Sequence, residues 1–114
     1  KFAADMAVDL APFGVAAVTI WMGGLLTERL RNVIAAYPAK FRHLEGRLET
    51  PEFTGRVVWA LYNDPALTTL SGRALIGAEL ARQYGIVDEG GRQPPSARDT
   101  LGVAPREQYP AIIR

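Results

Sequence analysis

Two glycines and a threonine mark the place where this sequence is best equipped to bind a ligand. Gly23 and Gly24 follow an apolar run, and Thr27 stands directly before a charged stretch that opens with Glu28. Glycine lets another group approach the backbone closely, and a hydroxyl with free N–H groups at a helix start favours amide and anionic partners. The alternatives are a tight turn at the glycines and a simple helix N-cap at Thr27. Either way, residues 22–27 are predicted to form a turn.

Other residue types that carry chemistry are sparse. The chain has no cysteine, which excludes disulfides, thiolate metal ligands and a cysteine nucleophile. His43 is the single histidine and lies in a polar segment without partners at metal-ligand spacing. Asp5 and Asp9, one helical turn apart, are expected to form a solvated face. The sequence therefore predicts no metal site and no acid/base pair of carboxylates.

A strand must lead into the turn. Residues Val15–Trp21 form an unbroken apolar run, which is typical of a strand covered on both faces, as in a parallel sheet between helices. A strand, a glycine turn and a helix start are the arrangement at which open α/β sheets bind ligands, at the carboxyl ends of their strands. We therefore take residues 22–27 as the candidate binding turn.

Helices are predicted on both sides of this strand. Apolar residues recur every four positions over Lys1–Ala11 and predict a helix there. Thr50 and Pro51 supply an N-cap and a first-turn proline, so that a helix is predicted over residues 51–63. A second short strand is predicted within Arg73–Leu80, whose end could also be helical.

The element order is helix, strand, helices, strand, which indicates an α/β fold with a parallel β-α-β unit. Two strands cannot cover both faces of so apolar a strand, and an exposed apolar sheet edge invites pairing with another chain. The sequence therefore implies missing strands or a partner, and we expect a homo-oligomer.

Composition excludes several classes of partner. With 114 residues the chain is one domain at most, and its net charge of +1 gives no electrostatic reason to expect nucleic acid. No apolar run reaches the roughly 18 to 20 residues of a membrane span, and no signal peptide is visible. We therefore expect no membrane partner and a cytoplasmic location.

The motifs, taken in order, resemble the C-terminal half of a short-chain dehydrogenase/reductase. In that family the turn reads Pro-Gly-x-x-x-Thr, and this chain reads MGGLLT, so that Gly23 and Thr27 match while Met22 departs from the proline. Ser71-Gly72 is similar to the pair that opens the family's last strand. The run ELARQYG at residues 79–85 is close to DLARRYG of one subgroup. The resemblance covers residues 1–92.

The resemblance implies the C-terminal fragment of a Rossmann-like, doubly wound parallel sheet. It further implies that the turn contacts NAD or NADP, and that the substrate is a small hydrophobic carbonyl or alcohol. The cofactor-binding residues would be Met22, Gly23, Gly24, Leu25 and Thr27. The regions would be a dehydrogenase part over 1–87 (cofactor turn 22–27, lid-like excursion 28–50, last helix 51–63, last strand 72–78) and a polar tail over 88–114, expected to be extended or poorly ordered.

The family's catalytic residues have no match in this chain. None of its glycines forms the fingerprint Gly-x-x-x-Gly-x-Gly that lets backbone approach a pyrophosphate. The family's acid/base tyrosine needs a lysine four residues on, but Tyr37, Tyr62, Tyr84 and Tyr109 are followed there by Phe, Ala, Asp and Ile. We therefore expect this chain alone to be inactive, as part of an NAD(P)-dependent oxidoreductase. The alternative is a non-enzymatic, oligomerising α/β interaction module.

Overall fold

Two short parallel strands, β1 (Thr19–Trp21) and β2 (Ala74–Ile76), form the sheet in the computed structural model, which describes residues 1–108. The register places Ile20 opposite Leu75. Within the described residues five α-helices accompany this pair, so the α/β class and the parallel pairing are confirmed. The helices are α1 (Phe2–Leu10), α2 (Glu28–Ala36), α3 (Pro51–Tyr62), α4 (Gly77–Tyr84) and α5 (Ala97–Leu101).

Both strands are shorter than the sequence predicted. Of the apolar run Val15–Trp21, only the last three residues are strand. Its partner β2 is limited by Gly72, whose φ is +84°, and by the start of α4 at Gly77. The earlier part of the run still lies beside the segment that precedes β2, since Gly72 donates its N–H to the Ala17 carbonyl at 2.7 Å. The predicted strand 72–78 ends early, as Gly77 begins α4. The helical alternative for its end is therefore the observed one.

The core lies between the sheet and helices α3 and α4. Its buried members are Phe53, Val57, Leu61, Leu80 and Ala81. Val18, Ile20 and Met22 pack against this cluster from the β1 segment. Thr19 and Trp21, which alternate with them, are exposed. One face of β1 is therefore covered and the other is open, whereas the continuous apolar run predicted cover on both faces.

The segment after Asp88 is built into the fold. Asp88 is 2% exposed and Ser96 is fully buried. Between them runs a 3-10 turn over Glu89–Gly91, and α5 follows. The expectation of an extended or poorly ordered tail is therefore wrong for residues 88–101, because these buried side chains anchor it. The boundary between residues 87 and 88 stays a prediction, and Tyr109 lies outside the described residues.

Candidate functional site

The predicted turn, residues 22–27, joins the carboxyl end of β1 to the N-terminus of α2. Gly23, Gly24 and Thr27 are exposed along it. The structure therefore places the predicted residues together at one edge of the sheet. Residues 1–108 contain no group of three side chains placed to bind a metal ion, and His43 lies in an exposed 3-10 turn.

Gly23 and Gly24 are needed for space and not for a left-handed backbone. Neither appears among the positive-φ glycines of residues 1–108. A Cβ on Gly23 would stand 2.7 Å from Glu49 Oε1, and a Cβ on Gly24 would stand 2.9 Å from Leu48 Cδ2. The glycines thus let two buried side chains approach the inner side of the turn, which leaves its outer side open.

Backbone hydrogen bonds tie the turn to the segment Leu48–Thr50, here called the strap. The Glu49 N–H donates to the Gly24 carbonyl at 2.8 Å, and the Leu26 N–H donates to the Glu49 carbonyl at 2.7 Å. Leu25 and Glu49 thereby form an isolated parallel bridge. A third contact comes from the Glu49 side chain, whose Oε2 accepts the Gly23 N–H at 3.1 Å. Residue 49 therefore holds the turn at three points.

Two N–H groups of the turn remain open to a ligand. The amides of Gly24 and Leu25 donate to no acceptor within residues 1–108. Their neighbours on both sides, Gly23 and Leu26, are engaged by Glu49. Adjacent unpaired N–H groups on an exposed turn are suited to bind a carbonyl or carboxamide oxygen.

Thr27 is the N-cap of α2. Its Oγ1 accepts the Leu30 N–H at 3.3 Å, so the capping alternative describes the observed geometry. The hydroxyl hydrogen is not consumed by this bond and can still be donated to a ligand. Capping and anion binding at this helix start are therefore compatible.

The Met22 side chain points away from the turn. Its sulfur packs against Gly77, where a Cβ would collide with it, and the side chain joins the core cluster. Only the backbone of Met22 is therefore available at the predicted site.

Glu49 is a site residue that the sequence did not reveal. The stretch from Tyr37 to Thr50 predicts a surface excursion, but Leu48, Glu49 and Thr50 are buried, and Glu49 is only 1% exposed. Burial raises the pKa of its carboxyl above the ordinary 4.5, the Gly23 N–H opposes that rise, and the charge of Asp88 adds to it. The one available signal was its position directly before the Thr50 cap.

Asp88 fastens the strap from the other side. Its carboxylate accepts the Thr50 N–H at 2.8 Å and the Thr50 hydroxyl at 2.6 Å, and also the Glu89 N–H at 2.7 Å. Burial alone acts to raise the pKa of Asp88, but these hydrogen bonds and the charge of Arg92 outweigh it, so the pKa lies below 3.8. Arg92 also reaches the Leu48 carbonyl at 3.3 Å.

Tyr84 serves structure and is a poor acid/base group. Its hydroxyl donates to the Asp64 carboxylate at 2.7 Å. Burial, the hydrogen bond and the charge of Asp64 raise the pKa of Tyr84 to about 12. The phenol therefore stays protonated at neutral pH and does not substitute for a catalytic tyrosine.

Comparison with known proteins confirms the resemblance predicted from the motifs. The chain is similar to Dehydrogenase/reductase SDR family member 1 of Homo sapiens, with 37% identity over 99 residues, which cover 81% of this chain and 32% of the relative. Its similarity to the protein of the same name from Mus musculus is 35% over 111 residues, covering 91% of this chain and 35% of the relative. The chain thus spans about a third of the length of these curated relatives. No protein-family model matches it.

Proposed function

We propose that this chain is the C-terminal portion of an NAD(P)-dependent oxidoreductase of the short-chain dehydrogenase/reductase type, with its cofactor turn at residues 22–27. The observation that carries the proposal is the turn itself. It lies at the carboxyl end of β1 and presents the free N–H groups of Gly24 and Leu25 beside the Thr27 hydroxyl. The similarity to the two mammalian proteins supports the same assignment.

Each part of the turn fits one part of a nicotinamide dinucleotide. The N–H groups of Gly24 and Leu25 suit the carboxamide of the nicotinamide ring. The Thr27 hydroxyl and the N-terminus of α2, a nine-residue helix, suit a phosphate. Gly23 and Met22 contribute backbone only. When bound, the cofactor supplies hydride transfer to or from the substrate.

Residues 28–50 suit a cover over the substrate. The segment leaves the turn through α2 and returns to it as the strap. Leu25, Leu26 and Leu30 are half-buried where it departs, which favours a small hydrophobic carbonyl or alcohol. We assign the catalytic tyrosine and lysine and the glycine-rich loop to a longer protein that contains this chain, and we place that protein in the cytoplasm as a homo-oligomer.

An oligomerising module without activity is the second candidate. It is favoured by the exposed aromatic side chains near α1, where Phe2 is 79% and Phe13 is 77% exposed. An apolar surface of this kind needs cover from another copy or from further strands and helices. In the oxidoreductase, the rest of the longer protein supplies that cover.

The coding sequence upstream of Lys1 is the first test. The oxidoreductase requires a tyrosine and a lysine four residues apart shortly upstream, with a glycine fingerprint before them. The encoded protein should bind NADH or NADPH, measured by cofactor fluorescence, and Thr27→Ala should weaken binding about tenfold through the loss of one charge-assisted hydrogen bond. Thr69→Ala, which removes an exposed threonine hydroxyl outside residues 22–27, is the matched control. A coding region that opens at Lys1, or a protein that binds neither dinucleotide, would contradict the proposal.

A further inference from the structure

Glu49 is a buried carboxylate with little to offset the cost of its burial. It is 1% exposed, and within residues 1–108 its carboxylate takes part in no ion pair. The one hydrogen bond that it accepts there comes from the Gly23 N–H at 3.1 Å. Burial of a carboxylate with a single neutral partner is unfavourable for the folded state. A role in stability alone therefore does not account for this side chain.

We propose that Glu49 is a positioning residue for the cofactor turn, an inference that rests on the proposed function. Its carboxylate turns the Gly23 N–H inward and holds it there. The next two N–H groups, those of Gly24 and Leu25, then stay unpaired on the open side, where the nicotinamide carboxamide is expected. Glu49 touches neither the cofactor nor the substrate in this assignment.

The side chain of Glu49 has a task that its backbone does not perform. The two backbone hydrogen bonds of residue 49 go to Gly24 and Leu26, and any amino acid except proline can make them. Within residues 1–108, the Gly23 N–H is held by the side chain of Glu49 alone. Substitution of Glu49 by alanine therefore removes the hydrogen bond to the Gly23 N–H but keeps the backbone hydrogen bonds between the strap and the turn.

The strap is a firm base for this contact. Thr50, the next residue, is 2% exposed and is held by two hydrogen bonds to Asp88. It also caps α3, since its hydroxyl accepts the Phe53 N–H at 3.2 Å. The Glu49 carboxylate is thus presented to Gly23 from a fixed backbone, which is what a positioning group requires.

The test compares two ligands in the full-length protein that contains this chain. Glu49→Ala should weaken NADH or NADPH binding about tenfold, the equivalent of one hydrogen bond, because the N–H groups of Gly24 and Leu25 lose their fixed direction. Binding of ADP-ribose, or of its 2′-phosphate form for NADPH, should change much less. These probes lack nicotinamide, and their phosphates are assigned to Thr27 and the N-terminus of α2, to which the Glu49 side chain makes no hydrogen bond within residues 1–108. Glu49→Gln keeps an acceptor for Gly23 and should restore the dinucleotide affinity. Glu52→Gln, an exposed carboxylate nearby in the sequence, is the control.

Two results with these ligands would overturn the inference. In the first, Glu49→Ala binds the dinucleotide as tightly as the Glu52→Gln control. In the second, Glu49→Ala weakens both ligands equally, which would mean a general loss of structure. A wild-type protein that binds neither dinucleotide would instead remove the proposed function, and the positioning role with it.

Amide hydrogen exchange in the full-length protein without cofactor tests the contact independently of dinucleotide binding. The Gly23 amide should be protected in the wild type and in Glu49→Gln. In Glu49→Ala it should exchange at least about tenfold faster, because nothing else holds it. Unchanged exchange at Gly23 would show that the contact does not fix the turn, whatever the outcome with the dinucleotides.

Discussion

Glu49 and Asp88 meet at Thr50, one as its neighbour in the chain and the other through hydrogen bonds, and they are almost equally hidden from solvent. Their surroundings are opposite. Asp88 accepts hydrogen bonds from two N–H groups and a hydroxyl and has Arg92 at 3.6 Å. Within residues 1–108, the Glu49 carboxylate accepts one hydrogen bond and has the negative charge of Asp88 nearby.

The difference separates a carboxylate whose ionisation stabilises the fold from one whose ionisation is unfavourable. The partners of Asp88 favour its charged form, so its pKa is lowered and its ionisation stabilises the fold. Burial disfavours the charged form of Glu49, so its pKa is raised and its ionisation costs stability. Residues with such unfavourable environments concentrate at functional sites. Glu49 lies beneath the candidate cofactor turn, and Asp88 does not.

Removing Asp88 should have the largest effect on stability. Asp88→Ala leaves the Thr50 and Glu89 amides without their acceptor and should lower the free energy of unfolding by about 3 kcal/mol. Urea denaturation of the chain, followed by circular dichroism, measures this loss. Asp99→Ala removes an exposed carboxylate paired with Arg82 and should change it by less than about 0.5 kcal/mol. Equal losses of stability in the two variants would contradict a stabilising role of the buried hydrogen bonds of Asp88.

Adding a methyl group at Gly23 should have an intermediate effect. Gly23→Ala brings a Cβ against Glu49 Oε1 and should cost about 2 kcal/mol of stability through overpacking. In a Glu49→Ala background the same change should cost much less, which a double-mutant cycle measures. Gly55→Ala, on α3 with open space around the position, should be neutral or slightly stabilising. If the stability losses of Gly23→Ala and Glu49→Ala are additive, residues 23 and 49 are not in tight contact.

The smallest expected effect is on the pH dependence of stability, which should have opposite directions for the two carboxylates. Because the pKa of Glu49 is raised, its contribution favours the fold at low pH and is lost as pH rises from 4.5 through the folded value. As pH rises through this range, Glu49→Gln should therefore become more stable relative to the wild type. The pKa of Asp88 is lowered, so its contribution is present above 3.8 and is lost as pH falls through the folded value.

The stability of Asp88→Asn should accordingly approach that of the wild type as the solution becomes more acidic. Thermal melts of the three proteins at a series of pH values give both comparisons. The same direction of change in the two variants would show that the carboxylates do not differ in the way their hydrogen bonds indicate.

Local features of the turn could be predicted from the sequence, and contacts between distant residues could not. The apolar run, the glycines and Thr27 are contiguous, so the turn and the cap of α2 follow from short-range signals. The length of β1 depends on β2, which is three residues long and lies far along the chain. The pattern of Val15–Trp21 carries no information about that partner.

The same limit explains why the sequence does not predict the burial of Glu49 and of the segment after Asp88. Charged residues in a polar stretch are ordinarily exposed. Glu49 is buried because it meets Gly23, 26 residues earlier, and Asp88 is buried because it meets Thr50, 38 residues earlier. Only the folded chain brings these partners together. The start of α4 also depends on a distant residue, because the absence of a side chain at Gly77 leaves space for the Met22 side chain.

The close approach of Gly23 and Glu49 also has an evolutionary consequence. A side chain at position 23 would meet the carboxylate at position 49, so Gly23 is not readily replaced while Glu49 stays in place. The reverse does not hold, because a shorter residue 49 leaves space for the glycine and removes only the acceptor of the Gly23 N–H. Replacement of Glu49 is therefore the expected first step of a divergence at this turn, and replacement of Gly23 the second.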